Sequence, residues 1–366
     1  MASKGFVGIG IIGTGFARTT QIPAFRACEG ARVVAIASGR RENAERVARE
    51  FDIPVVANDW REVVEREDVD LVSIVTPPST HAEMALAALG AGKAVLCEKP
   101  MAMNAEETER MRRAAETSGL FAYIDHELRF LPARLKMREM IQGGEIGRVR
   151  HAKFLFRADS RATPARGWDW WSDAESGGGV LGAIGSHAVD TLHWMLGARI
   201  SHVSATLATH VRERADRGTN ESRRVTSDDE ANLLLNFTDA GQVEGATGVV
   251  SLSVVEPGSA EHRVEVFGSD GALCVDGAGE LFQTRVGKGA WEKIETDAGP
   301  LAEGMGNNEW SRGFTLFSRE IVAALREGQS SEVSGAATFD DGHRIQLVLD
   351  AARNAHEGGC RVAVGG

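Results

Sequence analysis

Short apolar runs alternate with amphipathic helical stretches along the first 125 residues. The runs predict strands at residues 6–12, 32–37, 71–75, 94–97 and 121–124. The stretches between them predict helices, of which the clearest are residues 42–51, 82–90 and 104–118. Continuous apolar strands separated by helices indicate a parallel sheet that is covered on both faces. Residues 1–125 are therefore predicted to form a doubly wound α/β domain.

After a predicted helix at residues 131–141, the spacing of apolar residues changes. The helical repeat gives way to an alternation with a period of two residues. Strands are predicted at residues 149–157, 200–211, 231–237, 243–254, 262–267, 272–275 and 281–286. Because no helices separate most of these strands, they are expected to pair mainly antiparallel. Two helices, 311–326 and 341–356, follow. Residues 126–366 are thus predicted to form an α/β domain with a large, mostly antiparallel sheet, and the charged stretch 212–229 is predicted to be a mobile loop.

A glycine turn, Gly13-Thr14-Gly15-Phe16-Ala17, follows the first predicted strand. Gly13 and Gly15 allow a tight turn and a close approach of a pyrophosphate, and a helix start would direct its free N–H groups at the phosphates. The third small residue of the dinucleotide-binding pattern falls on Arg18. Either Ala17 takes the close-packing role or the turn is one residue shorter. The order of strand, turn, helix and strand favours a Rossmann cofactor loop.

The end of the second strand indicates which cofactor is bound. NAD sites usually place an acid about 20 residues beyond the glycines, whereas an arginine accommodates the 2′-phosphate of NADP. Here the strand is followed by Ser38, Arg40 and Arg41, with no acid at its end. A guanidinium is a permanently charged fork that suits a phosphate. We expect NADP, with NAD possible; the alternative is that Arg40 and Arg41 only decorate the next helix.

Two further strand ends carry candidate chemistry. Glu98-Lys99-Pro100 closes the strand at 94–97, and Thr76-Pro77 with His81 follows the strand at 71–75. Ligands of doubly wound folds lie beyond the carboxyl ends of the strands, at the switch point of the sheet. Lys99 is therefore expected beside a bound cofactor, where it could give or take a proton.

A glycine stretch in the second region, residues 177–185, leads to His187 and Asp190 on a predicted helix. The two residues are three apart and share a helix face, so the carboxylate could orient the imidazole or bind the same substrate. A histidine with a pKa near its ordinary value of about 6.5 is suited to accept a hydroxyl proton. His187 is predicted to be catalytic, whereas His193 on the same helix fits a structural role.

Charge and composition limit the classes of partner that are expected for this protein. A net charge of −11 and a pI near 5.5 argue against a nucleic-acid partner. The sequence shows neither an apolar stretch long enough for a membrane span nor a signal peptide, so a cytoplasmic protein is expected. The four cysteines lie far apart, so no metal site and no disulfide framework is predicted.

The motifs together resemble the Gfo/Idh/MocA family of oxidoreductases, the group of glucose-fructose oxidoreductase and inositol dehydrogenase. The resemblance is carried, over nearly the whole chain, by Gly13-Thr14-Gly15, Thr76-Pro77-Pro78 with His81, Glu98-Lys99-Pro100, Arg129-Phe130 with Pro132, and Gly185-Ser186-His187 with Asp190. It implies an amino-terminal dinucleotide domain and a carboxyl-terminal domain that binds substrate and forms a homodimer or homotetramer through its sheet. It also implies a sugar, inositol or related polyol as substrate.

The resemblance further implies the roles of individual residues. Lys99 would hydrogen-bond the reacting oxygen, His187 would act as acid or base, and Glu98 would position the lysine. Inositol-dehydrogenase relatives carry an aspartate four residues before the histidine, where this chain has Ala183. Asp190, Asp125 or Glu127 could substitute for it, or the chemistry differs.

Substrate contacts are predicted at two further residues. Arg129 could bind a hydroxyl or carboxylate of the substrate, or form an ion pair between the domains. Trp168, in a loop with acidic neighbours, could stack on a sugar ring or supply buried contact area.

The leading interpretation is an NAD(P)-dependent dehydrogenase that moves hydride between nicotinamide and a secondary alcohol or ketone. Two alternatives stay open: a non-catalytic NAD(P)-binding regulator, and an NAD-dependent glycosidase of the same family. A dehydrogenase must show a net change in nicotinamide absorbance, whereas the regulator and the glycosidase would not.

Overall fold

The computed structural model describes residues 5–258, 260–328 and 332–365 of the chain. Its strands are β1 Val7–Ile12, β2 Ala31–Ala37, β3 Val55–Val56, β4 Leu71–Ile74, β5 Ala94–Cys97, β6 Ala122–Ile124, β7 Val149–Arg157, β8 Ile200–Ala208, β9 Glu213–Ala215, β10 Ser222–Arg224, β11 Glu230–Phe237, β12 Val243–Ser253, β13 Glu261–Gly268, β14 Gly271–Val275, β15 Leu281–Arg285, β16 Glu292–Ile294, β17 Ala337–Thr338 and β18 Val362–Ala363. Most of them lie within a few residues of the predicted bounds.

The helices also follow the predicted pattern. They are α1 Ile22–Arg26, α2 Arg41–Phe51, α3 Trp60–Val64, α4 His81–Gly90, α5 Ala105–Ser118, α6 Pro132–Gln142, α7 Ser186–Leu196, α8 Glu309–Glu327 and α9 Phe339–Gly358. In the part of the chain that the structure describes, none of the helices combines the length and the apolar content that a bilayer crossing requires.

The chain divides into two compact units. The first contains residues Met1–Leu131 and Gly299–His343, and the second contains Pro132–Ala298 and Arg344–Gly366. The sequence-based division assigned everything after residue 125 to one domain. The structure differs because a segment near the carboxyl end returns to the first unit.

The first unit is built on a sheet with the order β17-β6-β5-β4-β1-β2-β3. Strands β1 to β6 pair in parallel, and β17 pairs antiparallel with β6 at the edge. The chain leaves β1 towards β2 on one side and later returns to β4 on the other, so the switch point lies between β1 and β4. The doubly wound parallel sheet that the sequence predicted is confirmed.

Helix α8 explains why the segment 299–343 belongs to the first unit. Phe314 packs edge-on against Phe25 with ring centroids 5.4 Å apart, and Phe317 stacks on Phe130 at 4.5 Å. Both α8 rings are fully buried in the apolar cluster of the first unit. The amphipathic pattern of α8 predicts a helix but does not say which sheet it covers.

The second unit is built on a sheet with the order β16-β15-β14-β13-β7-β12-β11-β8-β18. Neighbouring strands in this sheet pair antiparallel, except that β7 and β12 pair in parallel. Apolar residues of α6, α7 and α9 pack with one face of the sheet. The other face leaves Leu234 on β11 62% exposed. The homodimer or homotetramer that the resemblance implies stays a prediction.

The prediction of a mobile loop at residues 212–229 is wrong for much of its length. The segment contains the hairpin of β9 and β10, in which Arg214 faces Arg223. The Arg214 side chain is 3% exposed and donates to the carbonyl oxygens of Thr163 at 2.8 Å and Arg161 at 2.5 Å. Hydrogen bonds rather than apolar burial hold this segment, so hydrophobic periodicity does not reveal it.

We expect Phe314→Ala to lower the free energy of unfolding by about 3–5 kcal/mol, because it leaves a cavity in the core of the first unit. Denaturant unfolding of the purified protein measures the change. Val286→Ala is the control, since Val286 is 70% exposed. An effect of Phe314→Ala no larger than that of the control would contradict the assignment of α8 to this core.

Candidate functional site

The glycine turn after β1 leaves no room for a side chain at its first position. Gly13 has φ +108°, and a Cβ atom there would lie 2.1 Å from the carbonyl oxygen of Val75. The Gly13 N–H donates to the carbonyl oxygen of Ala37 at 2.8 Å. The turn therefore touches the chain leaving β2 and the chain leaving β4. Only glycine combines this backbone conformation with this closeness.

The second glycine of the turn is open instead of crowded. A Cβ atom at Gly15 would meet nothing within 4 Å. The Arg18 N–H donates to the carbonyl oxygen of Thr14 at 3.3 Å, so the N–H groups before it have no partner inside the helix. Free N–H groups beside an open glycine fit a phosphate group. The residues present at this turn, which include Phe16, thus fit a dinucleotide pyrophosphate.

Ala17 takes the close-packing position and Arg18 does not. Ala17 is fully buried in the apolar cluster of the first unit. The Arg18 guanidinium turns outward and makes two hydrogen bonds to Glu50, at 2.6 and 2.9 Å. The departure from the usual glycine pattern therefore leaves the turn intact.

A π-helical segment, Ala17–Gln21, connects the glycine turn to α1. A second one, Leu181–Gly185, directly precedes α7 and His187. π-Helical segments are rare in proteins, and those that occur often lie at functional sites. Each of them lies next to a site that the sequence had selected.

The end of β2 places the two arginines in different surroundings. Arg41 donates to Glu45 at 2.9 Å and also contacts Asn58, so it is held along helix α2. The Arg40 side chain is exposed, and its backbone N–H donates to the Ser38 hydroxyl at 3.4 Å. Arg40 and Ser38 are therefore the pair that could receive a ribose phosphate. For Arg41, the alternative interpretation as a residue of the helix surface fits better.

His81 is occupied by backbone groups on both sides of its ring. Its Nδ1 lies 3.0 Å from the carbonyl oxygen of Pro100, and its Nε2 lies 2.8 Å from that of Thr76. Complete burial lowers the pKa of His81 below its ordinary value. His81 thus joins the turn after β4 to the turn after β5. These contacts give His81 a supporting role, and the direct cofactor contact that the sequence predicted for it stays a prediction.

Thr76 and Pro77 form the turn that His81 supports. The Thr80 hydroxyl donates to the Thr76 hydroxyl at 2.7 Å, and Pro77 has an extended backbone before a short 3-10 turn. Both residues follow β4, next to the glycine turn after β1. The cofactor contacts predicted for them stay a prediction.

Lys99 lies at the carboxyl end of β5, on the same edge of the sheet as the glycine turn. Its side chain is 22% exposed, and its Nζ is 4.0 Å from Oε2 of Glu98, which is 9% exposed. A partly exposed amine with a buried carboxylate behind it is suited to exchange a proton with a ligand.

Glu98 belongs to a buried polar cluster that sequence reasoning described only in part. The Gln21 amide donates to Glu98 Oε1 at 3.1 Å and to Asp125 Oδ2 at 2.9 Å. The side-chain amide oxygen of Gln21 accepts a hydrogen bond of 2.6 Å from the Ser73 hydroxyl. Glu127 is also buried and interacts electrostatically with Glu98. The sequence had singled out the three carboxyl residues but missed Gln21 and Ser73.

Burial raises the pKa of all three carboxyl groups. It raises the pKa of Asp125 and Glu127 well above their ordinary values, and neighbouring carboxylates act in the same direction. The pKa of Glu98 is raised less because burial is opposed by Lys99. Burial and the neighbouring carboxyl groups therefore favour the protonated forms in this cluster. Nowhere in the described ranges does a group of three or more His, Cys, Asp or Glu residues have the arrangement of a metal site.

Arg129 forms an ion pair within the first unit. Its guanidinium donates to Asp341 Oδ2 and to the carbonyl oxygen of Gly335, both at 3.3 Å, and its side chain is 7% exposed. The ion pair thus joins two segments of one unit, unlike the pair between domains that the sequence suggested. A direct substrate contact would have to compete with these bonds.

His187 and Asp190 are placed by α7 in the second unit. They lie one turn apart, with exposures of 1% and 2%. Gly179 has φ +112°, and the Asp228 carboxylate accepts a 2.7 Å hydrogen bond from Leu181 N–H at the start of the preceding π-helical segment. Ala183 lies within this segment, so no carboxylate occupies its position. His193 accepts from Ile200 N–H at 3.0 Å, which is the structural role expected of it.

Trp168 is only partly available for stacking. The Arg223 guanidinium lies 3.2 Å from the centre of its ring, and its indole N–H donates to the carbonyl oxygen of Arg224 at 3.1 Å. Both partners belong to strand β10. The hairpin therefore covers one face of the ring, and a sugar could use only the other.

Comparison with known proteins agrees with this fold. Residues 7–126 match the family model described as "Oxidoreductase family, NAD-binding Rossmann fold", and residues 135–274 match the "GFO/IDH/MocA C-terminal domain". The chain belongs to the Gfo/Idh/MocA family of oxidoreductases and carries an NAD-binding Rossmann domain.

Relatives match over most of their length. An uncharacterized oxidoreductase of Synechocystis sp. is 35% identical over 72% of this chain and 70% of its own. The human glucose-fructose oxidoreductase domain-containing protein 2 is 32% identical over 96% of this chain and 92% of its own. A solved structure of levoglucosan dehydrogenase in complex with NADH and L-sorbose superimposes with a TM-score of 0.87 at 26% identity, covering 99% of this chain and 100% of that chain.

The two glycines of the turn give a paired prediction. Gly13→Ala should destabilise the fold by about 1–3 kcal/mol or more, because the left-handed conformation and the close Val75 oxygen both oppose a side chain. Gly15→Ala should leave the stability unchanged but weaken dinucleotide binding by about tenfold or more, since its methyl group enters the open space. Thermal unfolding and fluorescence titration with NAD and NADP measure the two effects.

Gly90→Ala is the control for this pair, because a Cβ atom there also meets nothing within 4 Å but lies at the end of α4. It should change neither quantity. Unaltered dinucleotide affinity of Gly15→Ala would remove the turn from the cofactor site.

Proposed function

We propose that this protein is a nicotinamide-dependent dehydrogenase acting on the CH–OH group of a sugar, inositol or related polyol, with Lys99 and His187 as proton donors and acceptors. The observation that carries the proposal is the position of Lys99. Its amine lies at the carboxyl end of β5, on the sheet edge that bears the glycine turn, with Glu98 behind it. This edge is where ligands of doubly wound folds bind.

The cofactor would be held by the chain's own turns. The backbone from Gly13 to Ala17 fits the pyrophosphate, and Thr76 and Pro77 line the adjacent turn after β4. When bound, the nicotinamide supplies the acceptor or donor of hydride. The protein would contribute alignment of the carbon and oxygen of the substrate and the movement of the proton.

Proton movement is assigned to Lys99 and His187. An amine at a sheet edge that is 22% exposed can reach a ligand, and the Glu98 carboxylate lies 4.0 Å behind it. His187 is buried at the start of α7, with Asp190 one turn later as a second substrate group. Ala183 stands where inositol-dehydrogenase relatives carry a carboxylate, and in the first unit the Glu98 carboxylate lies 4.0 Å from the Lys99 amine.

NADP is the proposed cofactor form, with NAD as the competing one. Two features favour NADP: the exposed Arg40 beside the Ser38 hydroxyl, and a strand end without an acid that would accept from the ribose. The NADH in the levoglucosan dehydrogenase complex favours NAD. The same complex contains L-sorbose, which supports a sugar-like substrate for this chain.

Lys99→Met should lower kcat by about 10²–10⁴, because methionine keeps the length of the side chain and removes the acid–base group. The dinucleotide dissociation constant should stay nearly the same. Turnover is followed as reduced-nicotinamide absorbance with a panel of sugars, inositols and sugar acids, and Lys288→Met serves as an exposed control. Undiminished kcat would exclude Lys99 from the chemistry, and dinucleotide binding without turnover of any sugar would indicate a regulator.

Arg40→Ala should weaken NADP binding by about 10- to 100-fold while NAD binding changes little, since a hydrogen bond to a charged group contributes about 1.5–3 kcal/mol. Arg46→Ala, on the exposed side of α2, is the matched control. Titration of both dinucleotides against the three proteins measures the effect. Equal losses for NAD and NADP would show that Arg40 supports the turn and does not bind a phosphate.

A further inference from the structure

Three carboxyl groups lie buried behind Lys99, in the interior of the first unit. As whole residues, Glu98 is 7% exposed, Asp125 is 0% exposed and Glu127 is 1% exposed. Two of them share one donor, because the Gln21 amide nitrogen contacts both Glu98 Oε1 and Asp125 Oδ2. Glu98 reaches towards the lysine, with Oε2 at 4.0 Å from Nζ. The arrangement is a row that starts at Lys99 and runs into the protein.

The orientation of Gln21 is fixed by Ser73. The Ser73 hydroxyl donates to the amide oxygen at 2.6 Å, so the amide nitrogen must face the two carboxyl groups. Its two N–H bonds are used by Glu98 and Asp125. Ser73 lies on β4 and Gln21 in the π-helical segment, both fully buried. The row is therefore held from two elements and is not an accident of flexible side chains.

Both positive and negative charges act on the row. Among the described residues, the ionisable groups that interact with it include the Lys99 ammonium, Glu309 at the start of α8 and the Cys97 thiol. Lys99 is the cation among them, and Glu309 adds a negative charge. Asp125 Oδ1 and Glu127 Oε2 have no hydrogen-bond partner in the part of the chain that the structure describes. A buried carboxyl oxygen without a donor is not the site of a full negative charge.

A row with one cation at its end is stable with one ionised carboxylate and two protonated acids. Carboxyl groups that share a site cannot all ionise, and their protons belong to the group as a whole. Glu98, next to the ammonium, is the member that carries the charge. The interior members, Asp125 and Glu127, hold the protons.

We propose that Glu98, Asp125 and Glu127 form a proton store for Lys99, in which Glu98 accepts the proton that the lysine takes from the substrate hydroxyl. The inference rests on the proposed dehydrogenase function. In the oxidation direction, the carbinol C–H bond breaks and hydride carries two electrons to the nicotinamide. The step starts once the Lys99 ammonium has lost its proton to water. The O–H proton then moves to the neutral Lys99 amine, and the resulting ammonium gives a proton to the Glu98 carboxylate. Alcohol becomes ketone, and Glu98 becomes an acid that afterwards returns its proton to water through the partly exposed Lys99 amine.

Glu98 and its two partners are positioning residues in this scheme, because they act through Lys99 and do not touch the substrate. The scheme also explains how the chain manages with alanine at position 183. A carboxylate from the second unit is not required if the first unit supplies its own acceptor behind the lysine. Gln21 keeps Glu98 and Asp125 close enough to share a proton.

The first experiment measures protons in the protein alone. Infrared spectroscopy near pH 7 should show the carbonyl band of protonated carboxylic acids in the wild-type protein. Asp125→Asn should weaken that band, and its amide can still bond Glu98. Asp70→Asn is the control, because Asp70 accepts from Gly8 N–H at the opposite end of the sheet. A wild-type spectrum without this band, or a band that Asp125→Asn leaves intact, would overturn the proposal.

The second experiment uses the pH profile of turnover. Glu98→Gln should lower kcat by about tenfold, less than the loss of a general base itself, with KM for sugar and dinucleotide nearly unchanged. The acid limb of the profile should move to lower pH, because a glutamine at this position has no carboxylate whose protonation would block transfer from Lys99. Asp125→Asn should shift the limb in the same direction but less, and Asp70→Asn should not shift it.

The outcomes distinguish this inference from the proposed function. A wild-type protein that oxidises no sugar or polyol would end the dehydrogenase proposal, and with it the use of the store in turnover. An active wild type, with Glu98→Gln and Asp125→Asn changing stability but not the pH profile, would overturn the proton store alone. Such a result would make the row a structural cluster.

Discussion

The candidate site depends on the absence of a side chain at Gly13. A Cβ atom there would lie 2.1 Å from the Val75 oxygen, so the turn after β1 can touch the chain leaving β4 only as glycine. This contact brings the ends of neighbouring strands to one sheet edge, where Gly15 leaves open space. The turns that carry Thr76 and Lys99 follow from the same parallel order of strands. His81 then links those two turns through backbone carbonyl groups.

A second constraint is electrostatic. Parallel strands end at one edge, and here the ends of β5 and β6 bring Glu98, Asp125 and Glu127 into the interior beside one lysine. Burial makes their negative charge costly, so the cluster keeps protons at a pH where exposed carboxyl groups lose them. Family membership indicates an oxidoreductase with a Rossmann domain, and this cluster suggests how a chain with Ala183 supplies a proton acceptor.

Much of the fold follows from local patterns. The apolar runs of β1, β2, β4 and β5 and the change of period after residue 149 predict both sheets, because burial on two faces and burial on one face leave different patterns. Glycines, prolines and caps predict the turns. Asn104 is an example, since its side chain accepts from Glu107 N–H at the start of α5. The candidate residues Lys99 and His187 were found from motifs at strand and helix boundaries.

The sequence by itself determined which segments become strands and helices and which polar residues lie at their ends, because these depend on neighbours along the chain. Only the tertiary structure decided contacts between distant segments: α8 with the first sheet, Arg129 with Asp341, and Gln21 with Glu98 and Asp125. It also separated Arg40 from Arg41 and formed the hairpin at 213–224. Contacts of this kind depend on which segments lie close together in space. The periodicity of apolar residues does not indicate that proximity.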